Sequence, residues 1–206
     1  MASQKSIESV RRPQRQRGHE RVASLLDAAA ACFVEKGYEA ATMTEIAARA
    51  GASIGSLYQF FPTKEALAQA LMSGYTDALQ LRLKKLAASS LDWDSDQLGT
   101  QLIRVLVAFR RRHPAFVVLA ESTAPLPTIR GMPIREHLRE ALQALLTRHA
   151  PRREAADLRA AAVVVLQLMK AAVALNAEPG LSGRRLALSQ LQQALQLYLR
   201  TLFKSS

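Results

Sequence analysis

From Thr42 to Lys64 the chain reads TMTEIAARAGASIGSLYQFFPTK, and its punctuation is that of two short helices on a tight turn. Thr42 followed three residues later by Glu45 is a capping box: the hydroxyl takes an N3 amide and the carboxylate reaches back. Ile46, Ala47 and Ala50 form the inward positions of the helix so opened, which stops at Gly51. Gly55 to Phe61 supports a second short helix, broken before Pro62, and Thr63 caps a long one running to about Ala88. Ala47 is small because the second helix crosses close to it, and Gly51 supplies the positive φ the turn requires. Ile46 and Leu57 provide the apolar contact between the two. Two helices so joined, packed on a longer one before them, form a helix-turn-helix.

Working outward, Val22, Leu25, Leu26, Ala29, Phe33 and Val34 recur at three- and four-residue steps, one stripe of an amphipathic helix that starts near Arg17. The pattern ends at Lys36-Gly37, a basic last turn and a glycine suited to a left-handed cap. Downstream, helical patterns cover about 95–112, 114–123, 134–149, 152–177 and 184–204, separated by proline- and glycine-containing breaks. Strand alternation and internal repeats are absent. Composition agrees: 36 Ala and 31 Leu against 11 Val and 6 Ile favour helix over strand in a chain of 206 residues.

The lone Cys32 excludes a disulfide framework and a cysteine zinc cluster, and points to a reducing compartment. Met1 to Glu20 is polar and basic, unlike a secretory signal. The most apolar run, Ala160 to Met169, is ten residues long against the roughly 20 needed to cross a bilayer, so no membrane partner is expected. Net charge is +11. Residues 1–21 carry six bases against two acids, a basic arm suited to a polyanion.

The outward residues of the second short helix are small or polar. Gly55 permits close backbone approach, while Ser56 and Gln59 reach hydrogen-bonding groups on base edges in a major groove. Thr42, Thr44, Ser53, Tyr58 and Lys64, with Arg15 and Arg17 from the arm and first turn, suit phosphate oxygens. Phe61 reads as core.

The run Ala28, Phe33, Gly37-Tyr38, Thr42, Thr44, Ile46-Ala47, Ala50-Gly51, Ser53, Gly55, Leu57-Tyr58, Phe61, Lys64 and Leu67 resembles the DNA-binding domain of the tetracycline-repressor (TetR) family of bacterial transcription regulators. It covers residues 17–76; the rest matches only in being helical and of suitable length. Two positions depart. Phe60 stands where such proteins often carry His or Tyr, leaving an apolar contact such as a thymine methyl, and Ala52 replaces a larger aliphatic residue.

The resemblance implies an all-α protein with a flexible basic arm (1–16), a three-helix DNA-binding domain (17–76) and a helical-bundle ligand-binding and dimerisation domain (77–206). It implies a cytoplasmic, nucleoid-associated homodimer, a palindromic operator as partner and a small-molecule effector that releases DNA. No cofactor or metal is expected. Family members dimerise through their last two long helices, which places Ala161, Val165 and Leu168 with Leu188, Leu191, Leu195 and Leu199 on the seam. Candidate effector contacts are Phe109, His113, Phe116, Glu121, Met132, His137, Met169 and Asn176, a mostly apolar set with a few polar anchors.

Two other readings compete: a DNA-binding regulator governed by a protein partner, or an activator, neither needing a small ligand. Catalysis is disfavoured. The four histidines and Cys32 form no HExxH, GxSxG, Walker or GxGxxG motif.

Overall fold

The computed structural model describes residues 14–121, 132–178 and 180–204, with the side chains of 14–16, 121, 132–135 and 177 outside the described set. Every regular element among the described residues is a helix: α1 (Gln14–Ala40), α2 (Met43–Arg49), α3 (Ile54–Phe60), α4 (Lys64–Ser89), α5 (Ser95–Arg112), α6 (Pro114–Glu121), α7 (Met132–His149), α8 (Ala155–Ala177) and α9 (Arg184–Lys204). The all-α class is as expected. The first helix begins three residues earlier than its apolar pattern showed, because amphipathic periodicity is silent over the polar residues Gln14 to Gln16.

The chain forms two units divided after Leu67, inside α4. In the first, Leu25, Ala29, Phe33, Ile46, Leu57 and Leu67 are wholly buried. Removing a side chain of this size from water is worth roughly 1.5–3 kcal/mol, so this small core holds the short helices α2 and α3, which are too short to be stable alone. The α1 to α2 passage differs from expectation at Gly37. Its φ of 79° is positive, as anticipated, but its ψ of 167° lies far from a left-handed cap, in extended backbone open almost only to glycine. After this kink Tyr38 is buried, its ring 5.4 Å from Phe33. Gly51, at φ 60°, makes the turn between α2 and α3.

In the second unit α8 packs against α5, α7 and α9. Leu98, Leu102, Phe109, Leu142, Leu145 and Leu146 are wholly buried with it. Helices α5 and α9 approach closely at Gly99, where a Cβ would stand 2.9 Å from Gln196 Cγ. Gln192 and Gln196 donate to Thr100 Oγ1 at 3.0 and 3.1 Å, and Arg200 Nη2 donates to both oxygens of Asp96 at 2.9 and 2.8 Å.

Two expectations are corrected here. The ten-residue run Ala160 to Met169 lies inside a longer helical stretch, Ala155–Asn176, which despite Asp157, Arg159 and Lys170 is long and apolar enough by length and composition to cross a membrane. Arg159 and Lys170 bound the uncharged run without interrupting the helix, which is why the run looked short. Its buried face, including Ala161, Ala162 and Val165, lies in the bundle core. The second correction concerns the seam: Ala161, Val165, Leu195 and Leu199 are buried in the chain's own core. A helix apolar nearly all round uses one face for its own chain, and the leucine stripe of α9 marks that inner face. The outer face carries Val164, 40% exposed, and Leu197, 51% exposed, while Leu168, Leu188 and Leu191 are half-buried.

Candidate nucleic-acid interface

The capping box predicted from sequence is formed: Glu45 N–H donates to Thr42 Oγ1 at 3.3 Å and Thr42 N–H to Glu45 Oε2 at 3.2 Å. At the head of α3, Ser56 N–H donates to Ser53 Oγ at 3.1 Å. Each hydroxyl so used keeps its own O–H for a further acceptor such as a phosphate oxygen. Leu57 faces inward, and the rest of α3 turns outward. Gly55 and Gln59 are exposed, Ser56 is half-buried, and Tyr58 is 49% and Phe60 39% exposed. Thr42, Thr44 and Arg17 are exposed as well. The side chain of Arg15 lies outside the described residues.

One residue of this face was missed. Ile54 is 39% exposed one helical turn before Tyr58, where it offers an apolar surface beside Gly55. The i, i+4 spacing to Tyr58, with Leu57 and Phe61 fixed as inward, was the available signal.

The face is held by ion pairs and backbone clasps around it. Arg49 donates to both oxygens of Glu35 at 2.7 and 2.5 Å, fastening α2 to α1. Lys36 Nζ lies 2.5 Å from Glu45 Oε1, tying the end of α1 to the capping carboxylate. The Arg49 guanidinium holds Glu35 below the usual carboxylate range, and the Lys36 ammonium does the same to Glu45, helped by the Thr42 amide. Ser24 Oγ–H reaches the Ala50 carbonyl at 3.3 Å.

Lys64 departs from its expected place on a phosphate. Its ammonium donates to the carbonyls of Tyr38, Glu39 and Ala41 at 2.8, 2.8 and 2.9 Å. An ammonium has three protons, so its donors are all spent inside the protein. The cause is Gly37: the kinked chain turns three carbonyls toward the head of α4.

The effector candidates scatter. Phe109, His113 and Phe116 do come together, the Phe109 ring centre 4.5 Å from His113 and 5.5 Å from Phe116, with Tyr75 of α4 against all three. Burial, then the charges of Arg82 and Arg112, lower the pKa of His113. Met169 is instead core, Asn176 is exposed, and His137 lines a separate open groove of about 360 Å³ with Lys84, Glu140 and Arg148. The side chains of Glu121 and Met132 lie outside the described residues. Among the described residues no group of three or more His, Cys, Asp or Glu could hold a metal.

Residues 25–71 match the family model for bacterial regulatory proteins of the tetR family, and residues 96–199, just over half the chain, match that for the tetracyclin repressor-like C-terminal domain. The HTH-type transcriptional repressor KstR2 of Rhodococcus jostii is 41% identical over 68 residues, 33% of this chain and 33% of that protein. The curated relatives are thus matched over a third of their length or less. A TetR-family transcriptional regulator from Streptomyces coelicolor superposes with a TM-score of 0.65 at 25% identity, covering 88% of this chain and 99% of that one. The transcriptional regulator FadR from Bacillus subtilis, solved in complex with stearoyl-CoA, gives 0.66 at 18% identity, covering 87% and 97%, a likeness of fold alone.

Proposed function

The chain belongs to the TetR family of bacterial regulatory proteins, and on that footing we propose that it is a cytoplasmic, dimeric transcriptional repressor released from its operator by a small molecule. The observation that carries the reading is α3 itself: Leu57 is buried in the core of the first unit, and Gly55, Tyr58, Gln59 and Phe60 stand outward from it. A helix so displayed fits the major groove, where Gln59 is suited to adenine and Tyr58 to phosphate.

Two such helices must be presented together, one helical turn apart, about 34–36 Å, to read a near-palindromic site. The exposed Val164 and Leu197, with Leu168 beside them on α8, offer the apolar surface for a second copy. A bundle interface of this kind places two helices of each chain side by side. KstR2 is named a repressor, which supports repression as the mode. The Tyr75, Phe109, His113 and Phe116 cluster is the effector site this reading favours. Effector and operator weaken each other's binding by the same factor.

Electrophoretic shifts with the DNA upstream of its own gene, then with fragments of the rest of the genome, test the proposal. Salt-sensitive, sequence-specific binding is expected, and its absence from every fragment would overturn the reading.

A further inference from the structure

The ring cluster has a cation on it. The Arg82 guanidinium carbon lies 5.5 Å from the centre of the Phe109 ring, and Arg82 is half-buried. Among the described residues it has no hydrogen-bond or ion-pair partner; it lies over the Phe109 ring, and its charge also helps to lower the pKa of His113. A partly desolvated guanidinium without a carboxylate is costly, since buried charges in proteins are ordinarily paired. Its planar fork matches two oxygens of one anion.

The surroundings add an apolar platform. Phe109 is wholly buried and fixes the cluster, whereas Tyr75, His113 and Phe116 are each half-buried and keep part of a ring face or edge outward. Arg112, exposed at the end of α5, adds a second positive charge near His113. Cation and rings come from α4, α5 and α6, all within the second unit.

We infer that this niche takes an amphipathic organic anion, its carboxylate or sulfonate on Arg82 and its flat or apolar body against Tyr75, His113 and Phe116. The inference rests on reading the second unit as the effector domain, and it names the class of effector. Arg82 selects the charge, and the rings bind the body without regard to it.

Two fluorescent probes of nearly the same shape test this on the full chain. One, 8-anilinonaphthalene-1-sulfonate, is an anion; the other, N-phenyl-1-naphthylamine, is neutral. Both are expected to saturate the wild type. Arg82→Gln should weaken the sulfonate by at least about tenfold, the scale of a lost charge-assisted pair, and the neutral probe by less than about twofold. Arg82→Lys, which keeps the charge but not the fork, should recover part of the sulfonate affinity. An unchanged circular-dichroism melt shows that each variant is folded. If both probes saturate and Arg82→Gln alters neither, or alters both equally, the anion inference falls and the effector site stands. If neither saturates the wild type, or Phe116→Ala leaves both unaffected, the effector site falls and the inference with it.

Discussion

The Lys64 ammonium lies 4.7 Å from the centre of the Tyr38 ring and donates to the Tyr38 carbonyl at 2.8 Å. A side chain from the first residue of α4 thus gathers carbonyls that follow the Gly37 kink, in the last residues of α1 and just beyond it. Thr42, the cap of α2, follows one residue after the last carbonyl in the clasp.

Lys64→Met should therefore act on stability before it acts on charge. Three hydrogen bonds from one charged donor put the expected loss at about 1–3 kcal/mol, read from a urea titration. Each phosphate contact contributes about 0.9 to the slope of log affinity against log salt on duplex DNA. The slope should be the same for wild type and variant. A slope lower by about one would instead put Lys64 on the DNA.

The two glycines around α2 should not tolerate alanine equally. A Cβ on either meets open space, so the cost is backbone strain alone. Gly51→Ala, in the left-handed helical region, should cost about 1–2 kcal/mol. Gly37→Ala must occupy backbone that only glycine favours and should cost more, up to about 3 kcal/mol. Thermal melts of the two variants, ranked, decide it; equal or reversed losses would show that the Gly37 kink is not required.

Histidine chemistry sets a pH limit on the second unit. Burial, and then the Arg148 charge, hold His149 below its usual value of 6.5, with Ser90 Oγ 3.0 Å from Nε2 and the Phe203 ring stacked 5.2 Å away. The unfolded chain takes its proton near pH 6.5 and the folded chain only lower, so the folded state binds fewer protons between the two. The contribution is complete above about pH 6.5 and is lost as pH falls through that window. His113 shifts in the same direction. The urea midpoint should fall from pH 7.5 to 5.5, and His149→Gln should flatten that fall. A midpoint that rises on acidification contradicts the assignment.

On the outer face of the last two helices, Val164→Arg and Leu197→Arg should yield monomers by light scattering with little change in melting temperature, surface changes usually costing under about 0.5 kcal/mol. Leu195→Arg should instead unfold the chain, since it buries an unpaired charge. A stable monomeric Leu195→Arg protein would put that residue back on the seam.

Much of this was readable from residue order. The capping pair Thr42 and Glu45, the glycine turn at Gly51 and the ends of α5 and α9 follow from local chemistry, in which three or four neighbours settle the outcome. What escaped depends on contacts distant in sequence. Lys64 is claimed by carbonyls more than twenty residues away, and no spacing rule encodes that. The leucine stripe of α9 was legible as apolar, but periodicity does not say whether a stripe faces its own bundle or a partner. Arg82 was likewise silent, because a lone arginine on a helix usually faces water.

Selection of bound duplexes from a random pool, followed by footprinting and a salt titration, bears most directly on α3 as the reading head. The account predicts a near-palindrome with half-sites 10–10.5 base pairs apart or a multiple of that, with Gln59→Ala relaxing preference at one adenine in each half. Binding that is indifferent to sequence, or a selected site without symmetry that Gln59→Ala leaves untouched, would contradict it.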